Sequence, residues 1–247
     1  DAPTEALQAL QFSLQFLQES GDSQNQANVL NAMAEVHFLT ERPDEALRVA
    51  NQAQATSRDV KYSVGEGAAL KHIVRAYVDR EDLTTALRLA NEGLERFRGR
   101  DDKVAEAAAH EALINAHLAS KDDEDALALR SGWEAMEIAK SLGQKRKLGQ
   151  GLLVVATLHL ANDQEYWAQL AVLEALEIFK ETQDKCGEGV AYQALAGVHL
   201  VAGDVEQALI AADTARGIFQ ELGDSRREAQ AQIETSKVYN LAGDVRM

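Results

Sequence analysis

Four of the six histidines, His37, His117, His159 and His199, stand in one repeating column of the chain. Histidine is the commonest metal ligand and a frequent general base, so such a series raises metal or acid–base chemistry first. The column also holds Tyr77 and Tyr239; successive members are 40 residues apart, with one step of 42. Equivalent positions in stacked helical units lie on the order of 10 Å apart. One zinc ion needs its ligands about 2 Å away. The column therefore reads as a half-buried packing position. His110 and His117, seven apart, can share a helix face, yet no cysteine or carboxylate at ligand spacing joins them.

Three Gly-x-Gly pairs, Gly65-Gly67, Gly149-Gly151 and Gly187-Gly189, raise phosphate binding. No strand precedes them and no Gly-Lys-Ser/Thr follows. They read as small residues where helices approach closely. Cys186 is the only cysteine and has no histidine at a diagnostic spacing. The Asp122-Asp123-Glu124-Asp125 run reads as a solvated helix N-terminus, where acids are favoured. No catalytic residue, metal site or cofactor is expected.

The net charge of −15 disfavours nucleic acid, because phosphate backbones repel an acidic chain. Lys145-Arg146-Lys147 and Arg226-Arg227 read as solvated loops between repeats. The longest apolar run, Leu152 to Ala161, is far short of the ~20 residues a membrane helix needs, so no membrane insertion is expected. A single cysteine favours an intracellular, cytoplasmic setting. An organelle stays open, because the chain begins at Asp1 and a leader or longer N-terminal region could precede it.

What positions these residues is a repeat of 40 residues, the signature of stacked supersecondary units. Each unit carries two helical patterns. In the fifth, the first helix runs from about Glu188 to Val201, with Tyr192, Leu195, Ala196, His199 and Leu200 inward. Gly203-Asp204 breaks it: glycine takes the left-handed C-terminal conformation and aspartate caps the next helix. The second helix runs from about Val205 to Leu222, with Ala208, Leu209, Ala212, Ala215 and Phe219 inward. A column of small residues reads Ala46, Ala86, Ala126, Ala168, Ala208. Pro3 and Pro43 both open a second helix, where the missing N–H is harmless. The third unit carries two extra residues, expected between Ala126 and Lys147, as a longer helix, bulge or loop.

The expected organisation is one all-α array over 1–247: a truncated second helix at 1–22, whole repeats at 23–64, 65–104, 105–146, 147–186 and 187–226, and a further first helix in 227–247. Starting and ending inside a repeat, without polar capping units, implies a longer protein or a neighbouring chain over one end.

The small residues Ala196, Ala208 and Ala215, the ring at His199 and the Gly203-Asp204 turn resemble the tetratricopeptide repeat. The period of 40 and Leu222-Gly223-Asp224 resemble its longer variety, found in G-protein-signalling modulators and kinesin light chains. The resemblance implies a right-handed α-solenoid whose first helices line a concave groove. Carried over residue by residue, that lining is Asn28, Asn31, Glu35, Phe38, Lys71, Arg75, Asp79, Glu111, Asn115, Leu118, Leu153, Thr157, Leu160, Gln193, Gly197, Leu200 and Val201. The first part is polar and mixed in charge, the last mostly apolar. Lys71 and Arg75 either hold a partner carboxylate or pair with Glu35 or Asp79. The leucines either anchor a partner or pack on the next unit. Trp167, beside Tyr166 at the start of a second helix, is a further candidate contact near the convex surface.

The expected function is a non-catalytic scaffold or adaptor holding a protein or peptide partner in its groove, with a permanent subunit of a larger assembly as the close variant. The alternative is a ligand- or peptide-responsive regulatory module of a longer protein.

Overall fold

A computed structural model describes residues 2–120, 125–233 and 236. Tyr239 and the Asp122-Asp123-Glu124 run fall outside them. Among the described residues lie α1 (Ala2–Ser20), α2 (Ser23–Leu39), α3 (Pro43–Asp59), α4 (Ser63–Asp79), α5 (Leu83–Gly99) and α6 (Lys103–Leu118). They continue with α7 (Asp125–Ser141), α8 (Lys145–Ala161), α9 (Glu165–Glu181), α10 (Lys185–Val201) and α11 (Val205–Glu221). Residues 225–233 are helical as well, and no described residue is in a strand.

Local chemistry sets the spacing. Asp22, Asp82, Asp102, Asp184 and Asp204 each cap the following helix by accepting from the backbone N–H three residues on. Pro43 opens α3 at a position that needs no N–H partner. Two residues before the following helix, the backbone turns left-handed, at Gly21, Gly143, Gly203 and Gly223 but also at Glu41, Lys61, Glu81, Asp101, Asp163 and Gln183. The non-glycine turns are held by paired carbonyl contacts, as where Asp101 and Asp102 donate to the Arg98 and Phe97 carbonyls at 3.0 Å.

Neighbouring helices from α2 onward start 20 residues apart, except α6 and α7, which start 22 apart. The two extra residues thus precede Asp125 instead of following Ala126. The small-residue column passes through Ala128, fully buried like Ala46, Ala86, Ala168 and Ala208, while Ala126 is exposed. Sequence spacing alone cannot separate an insertion before the second helix from one after it when both registers offer an alanine. The basic run Lys145-Arg146-Lys147 is the first turn of α8, not a loop, and Arg226-Arg227 opens the helix at 225–233. Cations there oppose the helix dipole. Acids offset this: Lys145 pairs with Glu181, Arg146 with Asp184 at 2.8 Å, and Arg227 with Asp224.

The chain divides into two compact units, Asp1–Ile138 and Ala139–Met247. In the first, successive helices from α1 to α6 pack on one another, and α2, α4 and α6 also touch in series. In the second, α8 to α11 pack successively and α8 touches α10. Each unit is a stack of helix pairs, and the fold class is an all-α helical-repeat solenoid. The core of each layer rests on small residues facing large ones. Phe97, Phe179 and Phe219, equivalent residues of α5, α9 and α11, are fully buried. A Cβ added to Gly149 would lie 2.9 Å from the Phe179 ring, and one on Gly189 would lie 2.7 Å from Phe219. Gly65, Gly67, Gly149, Gly187 and Gly189 are packing surfaces.

Candidate functional site

In the first unit the inner faces of α2, α4 and α6 carry polar residues that pair from repeat to repeat. Lys71 Nζ donates to Glu111 at 2.6 Å. Arg75 reaches Glu35 at 3.4 Å and Asp79 at 4.0 Å, with its guanidinium 4.2 Å above the Phe38 ring. Of the two sequence alternatives, pairing within the chain is what the geometry contains, and Lys71 uses a partner, Glu111, that the sequence reading did not weigh. Asn31 is buried and donates to the Gly65 carbonyl at 3.2 Å, which ties α2 to α4. Asn115 is exposed. His72 lies buried beneath this ladder, 3.9 Å from Glu35. Burial, reinforced by the Lys71 and Arg75 charges against the opposing pull of Glu35, lowers its pKa to about 4.

In the second unit the corresponding face of α8 and α10 is different. Leu153, Leu160, Gln193 and Leu200 are half-buried, while Thr157 and Val201 are exposed. Thr157 spends its hydroxyl on the Leu153 carbonyl at 3.0 Å. A Cβ added at Gly197, next to these residues, would meet nothing within 4 Å, so open space stands before it. Beside it lies a pocket of about 480 Å³ lined by Gln193, Asp224, Arg226, Arg227 and Gln230. Among the described residues this surface has no ion-pair ladder like that of α2, α4 and α6.

Trp167 stands elsewhere, on α9. It is exposed and makes an edge-on contact with Tyr166, ring centroids 5.4 Å apart. The histidine column is internal: His37 and His159 are buried, His117 and His199 half-buried. His159 spends Nδ1 on Gln164 at 2.7 Å. No group of three His, Cys, Asp or Glu among the described residues could hold a metal ion, and none of their helices is long and apolar enough to cross a membrane.

Sequence reasoning missed one column altogether. Glu66, Glu106 and Glu188, the fourth residues of α4, α6 and α10, are buried acids. Arg58 and Arg100 each hold Glu66 at 2.8 Å, with Arg96 at 3.3 Å. Burial, and then the neighbouring Arg58 charge, lower the Arg96 pKa. Arg98 and Lys103 hold Glu106, both at 2.8 Å. Burial pushes the Glu106 carboxyl up, but those bonds and charges outweigh it and leave it below the usual range. A recurring acid in the first turn was the available signal, but Gln26 and Leu148 interrupt the column. Glu66→Gln strips the charge from a site only 3% exposed and leaves three guanidiniums crowded together. Removing one partner of a fully buried pair costs about 3–5 kcal/mol; these arginines keep a third or more of their surface in water, so about 2 kcal/mol is expected here. Urea unfolding in low and high salt checks this: the loss shrinks at 1 M salt, on the order of a 3 Å screening length.

No protein-family model matches the chain, and no curated protein matches it. Solved structures do. A signal-transduction ATPase with a tetratricopeptide repeat sensor, from Pyrococcus horikoshii, superposes with a TM-score of 0.71 at 20% identity over 92% of this chain. The chain spans 34% of that protein's length. The TPR-like repeats of a kinesin light chain from Podosopora anserina give a TM-score of 0.60 at 15% identity, covering 81% of this chain and 98% of that one. A Rap protein complexed with competence and sporulation factor gives 0.64 at 13% identity, covering 96% and 70%. The fold is of the tetratricopeptide-repeat type.

Proposed function

We propose that this chain is a non-catalytic repeat scaffold that holds a protein or peptide partner against the inner face of α8 and α10. The observation that carries the reading is the open apolar surface there: Leu153, Leu160, Leu200 and Val201 keep solvent access around the unfilled space at Gly197. A half-buried apolar strip flanked by polar groups suits an extended peptide or an amphipathic helix. Each apolar anchor buried there contributes roughly 1.5–3 kcal/mol before ordering costs. Gln193 and Arg226, beside the strip, supply polar contacts that fix the register of the bound segment. In the first unit, Arg75 is engaged with Glu35 and Lys71 with Glu111, so a partner there exchanges ion pairs and gains specificity more than affinity. The Rap protein was solved in complex with a factor, and the signalling ATPase carries its repeats as a sensor. Those likenesses favour, as a second reading, a peptide-responsive regulatory module using the same surface.

Gly197→Arg is the decisive variant. The added Cβ meets nothing within 4 Å, and replacing a helical glycine raises helix propensity, so folding is expected to be retained. Affinity capture from the source extract with wild type, Gly197→Arg and Leu160→Asp/Leu200→Asp, each checked by circular dichroism, is expected to yield a partner that both variants lose. A partner kept by Gly197→Arg overturns the assignment to this face.

A further inference from the structure

The outward face of the second helices offers an internal comparison. Four positions on each, the second, third, sixth and ninth residues, face away from the layer. On α3 they are Asp44, Glu45, Arg48 and Asn51; on α5, Thr84, Thr85, Arg88 and Asn91. On α9 all four are apolar: Tyr166, Trp167, Leu170 and Leu173, between 41% and 65% exposed. The equivalent positions are mixed on α7 (Ala126, Leu127, Arg130, Trp133) and on α11 (Glu206, Gln207, Ile210, Asp213), so the fold does not require this face to be apolar, and α9 carries the fullest apolar set. Core packing cannot account for that, since the buried residues of α9 are Ala168, Ala171, Val172, Ala175, Leu176 and Phe179 on its other side. Tyr166, Leu170 and Leu173 fall at successive turns and form one stripe, with Trp167 along its edge.

Charge says what covers it. Glu174 and Glu177, both exposed, continue the stripe toward the end of α9, and no ion pair among the described residues reaches either. The whole chain carries −15, so a second copy or an anionic surface is repelled. We propose that the outer face of α9 is a second docking surface, separate from the inner face, for a basic amphipathic helix: its apolar side lies along Tyr166, Trp167, Leu170 and Leu173, and its lysines or arginines meet Glu174 and Glu177. The edge-on ring pair gives a rigid aromatic anchor.

The test uses Trp167 as reporter in a Trp133→Phe chain, which removes the only other tryptophan. The probe is a synthetic helix with leucines at i, i+4 and i+7 and lysines on its flanks; the control replaces the lysines by glutamates. The lysine peptide is expected to shift Trp167 emission to the blue, saturably, and the glutamate peptide to bind at least about tenfold more weakly. Leu170→Glu/Leu173→Glu weakens the lysine peptide at least about tenfold, and Glu174→Lys/Glu177→Lys reverses the preference between peptides. Gly197→Arg leaves all of this unchanged, so failure here and failure of the inner-face reading are told apart. No saturable shift, equal binding of both peptides, or a shift produced by raising protein concentration alone overturns the proposal; the last outcome assigns the face to a second copy.

Discussion

Phe179→Ala is expected to cost about 3–5 kcal/mol. Phe179 is fully buried and sits between two first helices. Its ring is the nearest neighbour of any side chain added at Gly149 on α8 or at Gly187 on α10. One ring therefore joins its own repeat to the next, and in a stacked array that nearest-neighbour contact carries much of the stability. The backbone cannot collapse into the void, because α8, α9 and α10 are already packed against one another around it. Urea unfolding followed at the helical circular-dichroism band measures the loss. Leu173→Ala, on the exposed side of the same helix, is the control and stays within about 0.5 kcal/mol. The converse change, Gly187→Ala, drives a methyl into the ring and costs about 1–3 kcal/mol. Combining it with Phe179→Leu recovers part of that loss, because the two residues share one space. A loss under about 1 kcal/mol for Phe179→Ala overturns this account.

Acidification from pH 7 to pH 5 is expected to destabilise the first unit by about 2 kcal/mol through His72 alone. In the unfolded chain its imidazole titrates at its ordinary 6.5, whereas in the folded protein burial holds it at about 4. Above 6.5 both states are neutral and His72 contributes nothing to the pH dependence. Between 6.5 and 4 the unfolded chain takes up a proton that the folded protein refuses, so stability falls as pH falls through that window. The groups facing His72 are Glu35 and the Phe38 ring on α2, and Lys71 and Arg75 on its own helix. Burial likewise lowers His37 and His110, so both act in the same direction. Carboxylates such as Glu106, lowered from 4.5, contribute fully above that value and lose their effect only as pH falls through their depressed folded pKa. The interval from pH 7 to 5 therefore isolates histidine. Urea midpoints at the two pH values check the slope, and His72→Phe flattens it. A wild-type midpoint that does not move over this interval overturns the assignment.

Much of the fold was legible because it is local. Helix starts at Pro43 and Asp204, the turn at Gly203, and inward columns such as Leu195 and Ala196 all follow from residues within one turn of each other. That helices approach closely at Gly149 and Gly189 was readable from the recurrence of small residues, but not which rings meet them. The buried acids were not. Glu66 looks like any first-turn glutamate, and only the return of Arg58, Arg96 and Arg100 from two other helix ends makes it an enclosed charge. The Ala126 column failed similarly, since an alanine two residues off satisfies the same one-dimensional period, and burial of Ala128 decides between them.

The candidate site divides along the same line. By itself the sequence determined that the chain is a 40-residue helical repeat and that polar residues precede apolar ones along the columns of the first helices. Only the tertiary structure decided that Lys71 meets Glu111, that Asn31 is spent on Gly65 and that Gly197 faces open space. Periodicity reports spacing along one dimension. Pairing between residues 34 or 40 apart, as in Asn31–Gly65 and Lys71–Glu111, depends on how neighbouring helices cross and how far long side chains reach across the crossing.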